Sequence, residues 1–214
     1  MTQGAARAAV QLEVFSDFLC PWCHLAAHRL KALEAELPGA FTLTWRAFLL
    51  RPHPQEGREL LEFVRYTQGW LRPAAEPDAP RFRVWETSEG PPTHSIPAHV
   101  AAKAAQALGD DAGRAMHERL LRAYFEENRD ISREPVLREL WRDVGLGEDA
   151  FSAGFGQALA RRVVDDHNEA VELGITGVPA LRVAGSDAVV MGAQPLEVYR
   201  RWVTKLCAQA ELGA

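Results

Sequence analysis

Ser16-Asp17-Phe18-Leu19-Cys20-Pro21-Trp22-Cys23-His24 separates two different hydrophobic rhythms. Before it, Val10, Leu12 and Val14 alternate with Gln11, Glu13 and Phe15, the period of a strand. After it, Ala26, Leu30, Leu33 and Leu37 fall on one face of a helix that Pro38-Gly39 stops. Two thiols three positions apart at a strand-to-helix junction are the minimum apparatus for a reversible disulfide. A thiol in the first turn of a helix meets unpaired backbone N–H groups and the positive end of the helix dipole. Both favour thiolate over thiol. Cys20 therefore reads as the attacking sulfur and Cys23 as the resolving one. Pro21 suits the first helical position, where a missing N–H costs nothing. Trp22, between the sulfurs, reads as an exposed docking surface for an unfolded chain. Trp cannot stabilise a thiolate by charge, so the Cys20 pKa is expected below the free value of ~8.5 but short of the ~3.5 extreme.

Downstream, Phe41-Thr-Leu-Thr-Trp-Arg-Ala47 alternates again, completing β-α-β with parallel strands and a right-handed crossover. Residues 51–57 read as a loop, and Leu60, Leu61 and Val64 as a short helix. The Pro-rich stretch 72–93 reads as irregular. Helical spacing then recurs around Val100–Leu108, Met116–Tyr124, Leu137–Val144 and Leu159–Ala170, ending at Gly174. Ala180-Leu-Arg-Val183 and Ala188-Val-Val-Met191 flank a turn, Ala184-Gly-Ser-Asp187, with hairpin chemistry. Pro195 then opens a last helix with Leu196, Tyr199, Val203 and Leu206 on its apolar face. The order predicts an α/β chain: a thioredoxin-like core, residues 10–50 and 174–212, with a large helical insertion, 51–173, between its second and third strands.

Gly174-Ile-Thr-Gly-Val-Pro179 leads into the third strand. A Pro at a strand start cannot donate to the ladder. In the thioredoxin fold such a Pro is cis and faces the two thiols, and Pro179 is expected to do the same. That would leave the Val178 backbone free to pair with an extended substrate, and set a ring that cannot bind metal beside the sulfurs. Pro21, Trp22, His24, Val178 and Pro179 are thus the expected substrate-binding residues.

Ser16–Cys23, Ala123-Tyr-Phe-Glu-Glu127 with Asp130-Ile-Ser132, Gly174–Pro179 and Gly192-Ala-Gln-Pro195 together resemble the DsbA family, and more narrowly its FrnE-like branch of cytoplasmic thiol oxidoreductases. The resemblance covers nearly the whole chain. It implies a thioredoxin fold with a helical insertion, a nucleophile at Cys20, a resolving thiol at Cys23 and a cis-Pro at Pro179. The chain departs from the family at His24, where many relatives carry an aromatic residue. It departs also at Ser95-Ile-Pro-Ala-His-Val100, where relatives tend to have an Asn- and Arg-containing helix start, and in the Pro-rich segment.

Composition narrows the rest. With 214 residues, 47% hydrophobic and 25% charged, the chain is ordinary for a globular protein. A net charge of −5 without a basic run excludes nucleic acid as a natural partner. Residues 1–9 lack the apolar stretch of a signal peptide and no run suits a membrane span, so a cytoplasmic location is expected. Three Cys do not make a disulfide scaffold. Cys207 reads as a packed small hydrophobe, as Trp45, Trp141 and Trp202 read as core. Cys20, His24 and His28 are spaced to offer a metal face, but a partly exposed His at a helix start is the simpler reading and no metal is expected. Cys-Pro-Trp-Cys-His also matches a haem-attachment pattern, which the missing leader and the thioredoxin-like order argue against. Asp17 reads as a turn residue in preference to a proton acceptor, and His99, His117 and His167 show no site-like spacing.

The expected activity is thiol–disulfide exchange on a protein or small-molecule substrate. No cofactor beyond the redox-active disulfide is expected. Glutathione is the candidate co-substrate, and glutathione or a thioredoxin-type reductant the candidate recycling partner. Two alternatives stand beside it. One is a glutathione-dependent isomerase or transferase of the kappa or 2-hydroxychromene-2-carboxylate isomerase type, where the first Cys position is usually Ser. The other is a non-catalytic peptide-binding module, weakened because a three-residue disulfide loop stabilises little by chain entropy.

Overall fold

A computed structural model of the chain describes residues 10–55 and 57–212; residues 1–9, read above for a leader, lie outside the described residues. Strand β1 (Val10–Ser16) and strand β2 (Phe41–Ala47) pair in parallel, from Val10↔Phe41 to Ser16↔Ala47, and helix α1 (Pro21–Glu36) makes the crossover. Strand β3 (Ala180–Val183) pairs antiparallel with β1 and with strand β4 (Val189–Met191). The sheet order is β2-β1-β3-β4, so β2 is an edge strand. Gly185, at φ +77°, supplies the left-handed turn between β3 and β4.

The strand rhythm has a physical outcome on both faces of the sheet. On one face Leu12 and Val14 are fully buried against Leu30 and Leu33 of α1 and against Tyr199 and Val203 of helix α9 (Leu196–Leu212). Cys207 packs in this layer as expected, its thiol donating to the Ala40 carbonyl at 3.5 Å. The other face carries Phe15 and a row of charges, Glu13, Arg46 and Arg182, one from each of three strands. So β1 is covered on both sides rather than on one.

Between β2 and β3 run helices α2 (Leu60–Thr67), α3 (Leu71–Ala74), α4 (Ile96–Gln106), α5 (Asp110–Phe125), α6 (Glu134–Asp143), α7 (Glu148–Gly154) and α8 (Gln157–Glu172). Helices α4, α5 and α6 enclose an aromatic core of Trp70, Trp85, Tyr124, Phe125 and Trp141, all nearly fully buried. Trp141 is core as expected, whereas Trp45 and Trp202 are only half-buried.

Helix α8, just before the expected boundary at 173/174, touches both sides of it. It bridges the sheet and α4: Asp166 accepts from Arg46 Nε at 2.7 Å and from the Ala47 N–H at 3.0 Å and pairs with Lys103 of α4 at 2.5 Å, and Glu169 pairs with Arg46 and, at 2.6 Å, with Arg182. Cutting at residue 173 would separate the charged row of the sheet from the carboxylates that neutralise it. Of the Pro-rich stretch 72–93, residues 72–74 belong to α3 and the rest is irregular as expected, but firmly held. Arg29 of α1, only 2% exposed, bonds Asp78 at 2.6 and 2.9 Å, Glu76 at 2.7 Å, and the Ala193 and Gln194 carbonyls at 3.1 Å. From the other side Asn128, at φ 54°, donates to the Arg83 carbonyl and accepts from the Glu86 N–H.

Candidate active site

The site forms where β1 ends and α1 begins. Asp17 shapes this turn: its carboxylate accepts from the Leu19 N–H and the Leu50 N–H, both at 2.7 Å, and its carbonyl from the Cys20 N–H at 3.1 Å. Cys20 stands at the N-cap of α1 and Pro21 in the first turn, where its absent N–H leaves no bond unmade. The Cys20 carbonyl accepts from Cys23 and His24, which starts the helix and brings the two thiols onto one end of it.

Cys20 is 6% exposed and Cys23 2%, and both are free thiols. The Cys20 thiol donates to the Val178 carbonyl at 3.4 Å, and the Val178–Pro179 peptide is cis. Val178 is half-buried and Pro179 buried, so the prolyl loop walls one side of the nucleophile. The Val178 carbonyl is therefore engaged in the thiol form, where a free backbone was expected. A thiolate cannot donate, so ionisation of Cys20 releases that carbonyl to a substrate strand. Trp22 is 38% exposed beside the sulfurs.

The two thiols are electrostatically unlike. A hydrogen bond from the Cys23 thiol lowers the Cys20 pKa, and the Cys23 and Trp22 backbone N–H groups add to this against the cost of burial and the nearby Asp17 charge. Burial, above all, pushes Cys23 well up, with its bond to Cys20 acting in the same direction. The first cysteine is thus the ready thiolate and the second a proton-holding thiol. Asp17 itself is fully buried, and desolvation raises its pKa to about 6 despite its bonds to Ser95, Leu19 and Leu50.

His24 corrects an expectation. It is buried, where a partly exposed ring was expected. It is 6% exposed, stacked on Phe125 at 5.1 Å and edge-on to Phe82 at 5.0 Å. Desolvation lowers its pKa to about 4. It fills the aromatic seam between α1 and the insertion. His28 is exposed and lines a chamber with His24 that does not include Cys20. No group of three or more His, Cys, Asp and Glu suited to a metal occurs among the described residues.

Sequence reasoning missed Ser95 and Leu50 as partners of Asp17, since both lie far along the chain. The quoted Asp130-Ile-Ser132 motif proves local: Asp130 accepts from the Ser132 N–H and hydroxyl, and Ser132 in turn accepts from the Thr93 N–H. No helix among the described residues is long and apolar enough to cross a membrane.

Residues 11–203 match the model of the DSBA-like thioredoxin domain family. Among solved structures, the chain is similar to the cytosolic disulfide reductase DsbM from Pseudomonas aeruginosa, at 28% identity and TM-score 0.72 over 95% of this chain and 100% of that one. DsbM has also been solved with GSH. A probable DsbA oxidoreductase, SCO1869 from Streptomyces coelicolor, matches at 25% identity and TM-score 0.71 over 92% and 89%. The uncharacterized protein YwbO of Bacillus subtilis (strain 168) is 26% identical over 91% of this chain and 96% of its own. With a thiol pair at the head of α1 and the family match spanning β1 to α9, the chain belongs to the DSBA-like thioredoxin domain family of oxidoreductases and isomerases.

Proposed function

We propose that this chain is a thiol–disulfide oxidoreductase of the FrnE-like kind, working through Cys20 and Cys23. The observation that carries the reading is the placement of the two thiols: Cys20 at the N-cap of α1, 3.4 Å from the Val178 carbonyl, with Cys23 buried one turn behind it, an arrangement that favours the thiolate at Cys20 over Cys23. In the reducing direction the Cys20 thiolate attacks a substrate disulfide. A Cys20–substrate bond forms and one substrate sulfur leaves as thiolate. Cys23 gives up its proton and attacks Cys20, the second substrate thiolate leaves, and the two electrons end on the substrate. The oxidising direction is the reverse, and the compartment's redox poise selects between them.

Trp22, Pro21, Val178 and Pro179 form the substrate lip of this reading. An extended chain would lie across the cis peptide and pair with Val178, while the half-exposed indole covers its side chains. Glutathione is the proposed small-molecule thiol, and the cytoplasm the proposed location, since the similar DsbM is a cytosolic disulfide reductase that has been solved with GSH. Insulin reduction tests the core of it. Cys20→Ser should abolish turnover, and Cys23→Ser should accumulate mixed disulfides. Turnover by the Cys20→Ser protein contradicts the assignment. Saturable glutathione binding with no exchange by the unaltered protein would instead favour the isomerase alternative.

A further inference from the structure

The prolyl wall that meets Cys20 is backed by a short strand. β4 has three residues and lies at the edge of the sheet, and its Met191 pairs with Ala180, directly after the cis peptide. The next residue, Gly192, donates its N–H to the Pro179 carbonyl at 2.7 Å. An edge strand this short contributes few ladder bonds of its own. Whatever else holds residues 192–194 therefore bears on the wall.

Two side chains hold them. Tyr199 of α9, fully buried, donates its hydroxyl to the Gly192 carbonyl at 3.1 Å and accepts from the Gln194 N–H at 3.2 Å. Arg29 of α1 donates from Nη1 to the Ala193 and Gln194 carbonyls, both at 3.1 Å. Its Nε and Nη2 point the other way, to Asp78 and Glu76. All five guanidinium N–H groups are thus engaged, on a side chain only 2% exposed. Glu76 and Asp78 are themselves about a third exposed, so a cation serving them alone could stay near the surface. The two backbone carbonyls give the guanidinium its reason to be inside. Burial raises the Tyr199 phenol to about 12, and both Arg29 and Cys23 lie within electrostatic reach of it, which sets this brace beside the resolving thiol.

We propose that Arg29 is a positioning residue for thiol–disulfide exchange: from the helix that carries the thiols it holds residues 192–194, and through them the Val178–Pro179 wall, in register with Cys20. This role rests on the exchange reading of Cys20 and Cys23. A planar fork suits it, reaching carboxylates on one side and carbonyls on the other, whereas a lysine ammonium offers three donors at one point. Loosening the wall has a definite sign. Only the protonated Cys20 donates to the Val178 carbonyl, so loss of that acceptor makes Cys20 ionise more readily. An extended substrate also loses a well-placed Val178 backbone, while a small disulfide, which needs only the sulfur, does not.

Three full-length variants test it: Arg29→Lys, Tyr199→Phe and, as control, Arg119→Lys, the same change at a guanidinium that bonds Glu127 and Asp143 within the insertion. The readouts are the Cys20 thiolate absorbance against pH, and kcat and KM with insulin and with hydroxyethyl disulfide. Arg29→Lys and Tyr199→Phe should each move the Cys20 titration to lower pH. Each should also raise KM for insulin, relative to KM for hydroxyethyl disulfide, by about fivefold, the size of one backbone hydrogen bond. Arg119→Lys should do neither, whatever it loses in stability. Either readout unchanged in Arg29→Lys, or moved as far in Arg119→Lys, overturns the role and leaves Arg29 a structural tie. Should Arg29→Lys fail to fold, Tyr199→Phe, which keeps the ring in its packing, decides on the same readouts. An unaltered protein that exchanges neither disulfide refutes the exchange reading instead, and the Cys20 titration, which needs no turnover, then decides the positioning alone.

Discussion

Acidification from pH 7 to pH 5 should weaken this fold by several kcal/mol, and the cause is three buried imidazoles. Burial lowers His24 to about 4 and His99 and His117 to about 3, against 6.5 for a solvated ring. The unfolded chain therefore binds protons at these positions in a range where the folded one does not. Stability is present above pH 6.5 and is lost as the pH falls toward the folded values. At about 1.4 kcal/mol per pKa unit, each ring loses about 2 kcal/mol between pH 7 and pH 5, about 6 kcal/mol for the three. Asp17 acts oppositely. Its folded pKa of about 6 lies above the usual 3.8, so the folded state takes up the proton first and regains about 1 kcal/mol over the same range. The net loss from these four groups is about 4–5 kcal/mol, a large share of a typical domain's stability. Guanidinium unfolding at the two pH values measures it directly. His117→Phe, which preserves a ring against Trp45, should remove about 2 kcal/mol of the difference. A pH-insensitive midpoint, or an unchanged loss in that variant, refutes the claim that these rings are buried neutral.

Two further outcomes follow from single residues. Asp17→Asn removes a charge that raises the pKa of both thiols, so the Cys20 thiolate, followed by its ultraviolet absorbance, should titrate at lower pH; an unchanged or higher value counts against that electrostatic link. Arg29→Ala strips the Pro-rich segment of its tie to α1, and because Glu76 and Asp78 are about a third exposed the cost is about 2 kcal/mol, less than for a fully buried pair. Faster proteolysis within residues 75–93 should accompany it, and a loss below about 0.5 kcal/mol would make the tie incidental.

The parts of this molecule that were readable from sequence are those whose signal is local. The alternation of Val10–Phe15 and Phe41–Ala47, the period of α1 and the turn at Ala184–Asp187 each occupy a few neighbouring residues, and the β-α-β and β-β-α units follow. The thiol pair and Pro179 were legible for the same reason. What escaped depends on partners far along the chain. Arg29 looks like a solvated helix residue until Asp78 and the Gln194 carbonyl meet it. Asp166 and Glu169 look like the wet face of α8 until the sheet supplies Arg46 and Arg182. His24 has nothing in its neighbours to say that Phe82 and Phe125 enclose it. Helix α7 has a single fully buried anchor, Phe151, too little for a periodic signal, and the sequence offered no expectation there.

A glutathione redox titration of the unaltered protein tests the central claim most directly. A reversible two-electron couple confined to Cys20 and Cys23, with a potential above about −300 mV, is the predicted result. A bond that stays intact below that potential, or a pair that never closes in oxidised glutathione, would contradict it.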